Sequence, residues 1–419
     1  MEQTMDLARP RPRGRGLRLT GRVSAAHFSA GLTAALFYAF GAVPIFVGAA
    51  GQLGLTHRAA TSAFFAIFMT STISSILLTI RYRQPLPIGF TVPGLVLLAS
   101  AGDRYSHAEM VGACLVVGVA ILVLGLLGVG ERLLRWLPLP IVLGTFAGNL
   151  LGLVAGVFAH LETEPAAVGA ALAGYLGARA LNRTWLPPVA GAVLAGIGVA
   201  ALLGRANPGA FAWEPPVAVP IAPGFDPLGV VALAIPLLGF SLGLGHVQGI
   251  GYLRSQGFNP PVRPMVLVLG INTLINALFG GPPSTIQANG VAVLGGPEAG
   301  PRETRYVANL IAAALGTAIG LCAATASALL GVIPLALALA GLGLVGALME
   351  ALRKIATVDP ADIGGGLPAG AFFALVIAAS PLSLLGIGSA CWAMIGGLVV
   401  SLVLEREALL RRWRGVVEA

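Results

Sequence analysis

The sequence predicts an all-α polytopic membrane protein of fourteen transmembrane segments, built as two inverted repeats of seven. Three observations carry that prediction. Of 419 residues, 57% are hydrophobic and 10% charged, against about 25% charged in soluble domains. Apolar stretches of roughly 18–25 residues, each able to cross about 30 Å of hydrocarbon, recur from Ser24 to Leu404. Two further apolar segments, third and tenth in order, are too short for ordinary spans and are broken by Gly and Pro.

The spans fall at about 24–50, 58–80, 87–101, 106–129, 136–160, 165–182, 186–204, 227–253, 262–279, 283–296, 304–330, 333–351, 366–382 and 384–404. Basic residues test this count, because short cytoplasmic loops collect Lys and Arg. With the N-terminus inside, the loops after even-numbered spans hold Arg81, Arg83, Arg132, Arg135, Arg179, Arg183, Arg254, Arg263, Arg302, Arg305, Arg353 and Lys354. With the two tails they hold 22 of the 25 basic residues, and the other side keeps only Arg58, Arg104 and Arg205. Both termini are therefore expected in the cytoplasm, and the chain in a bacterial inner membrane. Residues 1–23 are Arg- and Pro-rich without an apolar h-region and read as a disordered cytoplasmic tail, not a signal peptide. Residues 405–419 read as a second tail.

The net charge of +8 lies in loops and tails, where it sets orientation. The expected partners are the lipid bilayer and a small solute, with no nucleic acid. Cys114, Cys322 and Cys391 lie in apolar segments without pairing or metal spacing and read as packing residues. No metal or cofactor is expected, and no nucleophile–base pair or nucleotide motif suggests an enzyme.

The short segments locate the site. Leu86–Ala101 begins through Pro85, Pro87, Gly89 and Pro93, and 280–296 through Gly280, Gly281, Pro282 and Pro283. Each is third in its half. Seven is odd, so the second half starts from the opposite face and the repeats are inverted. Matching Gly/Pro-broken segments in two halves are a strong sequence pointer to a transporter site. A second match supports the repeat: Leu137-Pro138-Leu139-Pro140 opens span five and Ile333-Pro334-Leu335 opens span twelve, each followed by spaced glycines.

In Gly89-Phe90-Thr91-Val92-Pro93-Gly94, extended backbone leads into a half-helix starting near Pro93. Its first N–H groups lack internal partners and carry the positive dipole end. Pro282-Pro283-Ser284-Thr285-Ile286-Gln287-Ala288-Asn289 repeats the design, with Ser284 or Thr285 placed to cap. Two such ends make an anion site without Lys or Arg. Thr91, Ser284, Thr285, Gln287 and Asn289 are candidate polar contacts. Phe90, with Phe37, Tyr38 or Phe40, could stack on an aromatic solute or simply pack the spans. No Asp or Glu sits clearly at mid-membrane depth, so no carboxylate proton relay is visible. The ionisable residue inside a span is His246, in Gly245-His246-Val247-Gln248. Two readings stay open: a proton carrier, or a neutral ring hydrogen-bonded between helices. Gln248 is a further contact or a helix–helix bond.

Ile80-Arg81-Tyr82-Arg83-Gln84-Pro85, followed by Thr91-Val92-Pro93-Gly94-Leu95-Val96-Leu97-Leu98-Ala99, resembles the benzoate:proton symporter family. So do Gly249-Ile250 with Leu253-Arg254, Gly257-Phe258, Pro260-Pro261-Val262, Phe279-Gly280-Gly281, and Gly296-Pro297-Glu298-Ala299 with Arg305-Tyr306. The wider superfamily includes nucleobase and sulfate transporters. The resemblance implies a core of spans 1–4 (24–129) and 8–11 (227–330). A gate of spans 5–7 (130–226) and 12–14 (331–404) would face it, and the core would move past the gate as an elevator. The solute would sit between strands in spans three and ten, facing span eight, in contact with Phe90, Thr91, Val92, Pro93, Gly245, His246, Gln248, Ser284, Thr285, Gln287, Asn289 and Tyr38. Two departures matter. The family's Trp-Ser-Thr-Pro-Gly reads Phe90-Thr91-Val92-Pro93-Gly94, and Gly245 and Asn289 stand where the nucleobase branch carries glutamates.

The expected function is secondary active transport of a small organic anion, benzoate or a related aromatic carboxylate first, with His246 the candidate for proton coupling. The alternatives are a nucleobase or inorganic-anion transporter, or an anion channel. A homodimer through the gate is left open.

Overall fold

The computed structural model describes residues 23–128, 138–181, 187–205, 213–327, 333–356, 367–384 and 387–410. The expected N-terminal tail up to residue 22, and the loops carrying Arg132, Arg135 and Arg183, lie outside them.

All fourteen predicted segments are present. Among the described residues, seven helices are long and apolar enough to cross a membrane: Ala25–Gln52, His57–Tyr82, His107–Leu127, Leu139–Thr163, Pro227–Arg254, Arg302–Leu321 and Pro334–Ala356. These are spans one, two, four, five, eight, eleven and twelve. Shorter helices supply span six (Pro165–Leu181), seven (Pro188–Leu202), nine (Val262–Leu278), thirteen (Pro368–Ala379) and fourteen (Ser389–Leu404). Helix starts follow side chains able to accept the otherwise unpaired third N–H: Thr56 caps span two, Ser106 span four and Asp226 span eight.

Spans three and ten each divide into a strand and a half-helix. Span three is β1 (Ile88–Phe90) and Val92–Ser100; span ten is β2 (Ser284–Ile286) and Ala288–Gly295. The strands pair antiparallel with Gly89 opposite Thr285. The ladder continues at both ends, Thr91 N donating to Pro283 O at 2.9 Å and Gln287 N to Pro87 O at 3.1 Å. Extended backbone is tolerable in lipid only when buried in protein with its polar groups paired; here each repeat supplies the other's partner.

The repeats match in two further details. Ser75 Oγ of span two accepts from Ile88 N at 2.7 Å, and Thr273 Oγ1 of span nine accepts from Ser284 N at 2.9 Å. A hydroxyl in the second span of each repeat thus pins the first residue of its strand. We expect Ser75→Ala and Thr273→Val each to lower stability by about 1–3 kcal/mol, the cost of a buried N–H left unpaired. Thermal unfolding of both variants checks this; a loss below roughly 0.5 kcal/mol would mean another acceptor replaces the hydroxyl.

The first span of each repeat also widens into a π-turn beside an internal proline. Pro44 has no N–H to return to the preceding turn, and span one carries a π-turn at Tyr38–Ala42. Pro236 stands in span eight just before a π segment at Gly239–His246. Such turns gather at functional sites; the second lies against β2 and both half-helices, and Tyr38 of the first faces Gly290 of span ten.

Spans one, two and eleven pack together, as do four with nine. Polar contacts tie this set: Thr70 Oγ1 to Asn276 Oδ1 at 2.7 Å, Ser74 Oγ to Asn272 Oδ1 at 3.0 Å, and Asn309 Nδ2 to Thr79 Oγ1 at 2.6 Å. Span five packs on twelve and thirteen, six on seven, and thirteen on fourteen. The two sets meet where Val43–Gln52 crosses span twelve and the π segment of span eight crosses span five. Residues 405–410, the start of the expected C-terminal tail, pack on the protein: Leu409 is buried, and the Glu405 carboxylate accepts from Ala369 N and Gly370 N at 2.7 and 3.1 Å, capping span thirteen.

Candidate functional site

The paired strands bring the two half-helix N-termini to the middle of the protein, and the two ends are not alike. In the first half-helix, Thr91 is the cap and its Oγ1 accepts from Gly94 N at 3.2 Å. Pro93 has no N–H. Only Val92 N is left for a ligand. The second half-helix is capped by Gln287, whose side chain makes no capping bond. Its first helical acceptance is Val291 N to Gln287 O at 2.8 Å. Ala288, Asn289 and Gly290 therefore present three N–H groups without partners among the described residues. The positive pole of the site is the second half-helix.

This corrects one expectation. Ser284 and Thr285 do not cap the second half-helix, which starts at Ala288 rather than directly after Pro283. They lie in β2, fully engaged: Ser284 Oγ donates to Gly89 O at 2.8 Å and Thr285 Oγ1 to Ser241 O at 2.6 Å. Ser241 Oγ returns a bond to Ser284 O. These hydroxyls fasten β2 to β1 and to the π segment of span eight.

The strand and the π segment approach closely. A Cβ at Gly245 would overlap Thr285 Oγ1 and lie 2.6 Å from Ile286 O. A Cβ at Gly89 would overlap the amide of Gln287, so that side chain lies across β1. Its Oε1 is buried without a hydrogen bond among the described residues. Tyr38, in the π-turn of span one, is buried with its hydroxyl 2.8 Å from where a Cβ on Gly290 would stand. Tyr38, Gln287 and the three free N–H groups thus converge.

Of the other predicted residues, Val92, Pro93 and Gly245 are half-buried and Asn289 is exposed, so the helix ends are reachable. Phe90 is buried opposite Ser284 and packs in the core. Phe37 is exposed, stacked edge-on to Tyr38. His246 is fully buried, and neither ring nitrogen has a hydrogen-bond partner among the described residues. The interhelical bond offered as one reading of His246 is therefore not made. Gln248 makes the helix–helix bond: its Oε1 accepts from Lys354 Nζ of span twelve at 2.9 Å. Lys354 also lies 3.5 Å from Glu350, and it is the only lysine in the sequence. The contact joins the two helix sets beside the site, and no local pattern announces it. No group of three or more His, Cys, Asp or Glu side chains able to hold a metal occurs among the described residues.

Comparison with known proteins places this arrangement. A family model described as "Benzoate membrane transport protein" matches residues 21–403. A benzoate membrane transport protein of Acinetobacter baylyi is 28% identical over 384 residues, covering 90% of this chain and 94% of that one. Inner membrane protein YdcO of Escherichia coli is 27% identical, covering 89% and 97%. Among solved structures, the transmembrane domain of the cyanobacterial bicarbonate transporter BicA superposes with a TM-score of 0.56 at 16% identity, covering 89% of this chain and 97% of that one. The murine anion transporter Slc26a9 gives 0.56 at 14% identity, covering 92% and 69%. These two likenesses concern the fold. With the family model spanning nearly the whole chain, this protein belongs to the benzoate membrane transport protein family, whose members are multi-pass membrane transporters.

Proposed function

We propose that this chain is a secondary active transporter of a small aromatic carboxylate, benzoate first. The carrying observation is the second half-helix, where three free N–H groups, the Tyr38 hydroxyl and the Gln287 amide converge. A carboxylate fits because it accepts from several N–H groups at once and completes the dipole. The absence of carboxylates at Gly245 and Asn289 disfavours a nucleobase, whose ring N–H groups need acceptors. An inorganic anion is the second reading, since the same donors suit it and the BicA fold is shared.

Movement of spans 1–4 and 8–11 as a core past spans 5–7 and 12–14 as a gate is supported by the packing. Strand pairing and buried polar contacts run inside the first set, and the Gln248–Lys354 contact crosses between the sets. The basic loops support cytoplasmic termini in an inner membrane.

Ligand-dependent thermal stabilisation tests the cargo. At 100 times its Kd a ligand adds about 2.7 kcal/mol. Benzoate is expected to stabilise the purified protein, with uracil, sulfate and bicarbonate silent; the reverse pattern would sink the carboxylate reading. His246 is the candidate proton carrier. Because its ring nitrogens are buried and unpaired, His246→Leu is expected to hold or raise the unliganded stability, by up to about 1–3 kcal/mol. It should abolish uptake driven by a pH gradient while counterflow exchange persists. Gradient-driven uptake at the wild-type rate would make His246 a packing residue.

A further inference from the structure

A second feature lies on the face expected to be poor in arginine. A cavity of about 240 Å³ opens there between the two helix sets. The end of span three and the start of span eight line one wall; span five and the turn joining spans thirteen and fourteen line the other. It is smaller than the ~300–1,000 Å³ of drug-sized pockets, as suits a small solute. Its polar lining is Arg104, Tyr105, Ser100, Asn149, Ser380 and Ser389.

Two of these groups lack protein partners among the described residues. The Arg104 side chain makes no ion pair or hydrogen bond there, and its Nη1 lies 3.2 Å from where a Cβ on Gly388 would stand, so it reaches across the mouth to the far wall. Asn149 Nδ2 is buried without an acceptor. Two nearby carboxylates are engaged elsewhere: Asp226 accepts from Gly229 N at 2.6 Å, and Glu109 accepts from Ser106 N at 2.7 Å. Of the other two basic residues expected on this face, Arg205 is paired with Glu164 and Arg58 is not in the cavity lining. A planar five-donor cation beside an amide with a free N–H suits a carboxylate, which accepts from both.

We propose that this vestibule binds a small organic carboxylate at Arg104 and Asn149, as a site separate from the half-helix pole. That pole is at Ala288, Asn289 and Gly290 of the second half-helix, none of which lines the vestibule, and the vestibule lies about the last turn of the first half-helix, at Leu97, Ser100 and Ala101. The solute would thus be concentrated at the mouth before reaching the strands. The proposal rests on the carboxylate reading above.

Equilibrium dialysis of radiolabelled benzoate against the purified full-length chain tests it by counting sites. The wild type should bind two per chain. Arg104→Gln should remove one, weakening it at least about ten-fold as expected for a lost charged hydrogen bond, and Arg104→Lys should partly restore it. Asn289→Glu, which places a negative charge at the half-helix pole, should remove the other. One wild-type site, kept in Arg104→Gln and lost in Asn289→Glu, would overturn the vestibule and leave the half-helix reading intact. One site with the opposite pattern would uphold the vestibule and sink the half-helix. No binding at all would overturn both. Arg104 is exposed in a loop, so the variant should fold, and an unchanged unliganded melting temperature checks that it does.

Discussion

Asn289→Glu should abolish benzoate binding while the protein stays folded. Asn289 is the second residue of the second half-helix, exposed and without a hydrogen bond among the described residues. A carboxylate there faces the positive dipole end and should be neutral or stabilising by about 0.3–1 kcal/mol. The same charge opposes an anionic ligand. At about 4 Å and an effective dielectric near 20 the repulsion is about 4 kcal/mol, or roughly a thousand-fold in Kd. Asn289→Gln, uncharged, should keep binding within a few-fold. Dialysis and thermal unfolding of the two variants read both parts. Tight benzoate binding by Asn289→Glu would place the carboxylate elsewhere.

Gly245→Val should cost both fold and function. The side chain would enter the contact between the π segment and β2, where Thr285 Oγ1 and Ile286 O already stand against the glycine. Neither can withdraw easily: Thr285 donates to Ser241 O at 2.6 Å, and Ile286 pairs with Ile88 across the sheet. Overpacking plus a lost buried hydrogen bond amounts to about 2–4 kcal/mol. Unlike Asn289→Glu, this variant should unfold at lower temperature before any ligand is added. A wild-type melting curve would mean that span eight stands off the strand in solution.

The frame of this protein was legible because lipid makes simple demands. Apolar length, loop charge and the misfit of 86–101 and 280–296 led to fourteen segments and to the two that hold the half-helices. The asymmetry of the two poles was half legible. Pro93 declares a missing N–H, but Thr91 closing on Gly94 and Gln287 failing to cap depend on where each helix starts. The misplacement of Ser284 and Thr285 has the same origin: nothing local distinguishes a capping hydroxyl from one that fastens a strand. The π-turns were not anticipated: Pro44 and Pro236 stand beside them, and the consequence of each is a local widening rather than a break. Contacts between distant residues were not legible. Gln248 meets Lys354, 106 positions away, and Arg104 reaches Gly388; both depend on how the repeats pack.

Lys354 carries a practical consequence. As the sole lysine of the chain, it is the only side chain that an amine-acylating reagent can label. Its amine is held against Gln248, at the seam between the two helix sets. The acylation rate of this one side chain therefore reports on its contact with Gln248, without an introduced cysteine or fluorophore. Benzoate that speeds or slows labelling would reveal which state it favours. In a two-copy assembly, an amine-to-amine cross-link between side chains could join only Lys354 to Lys354.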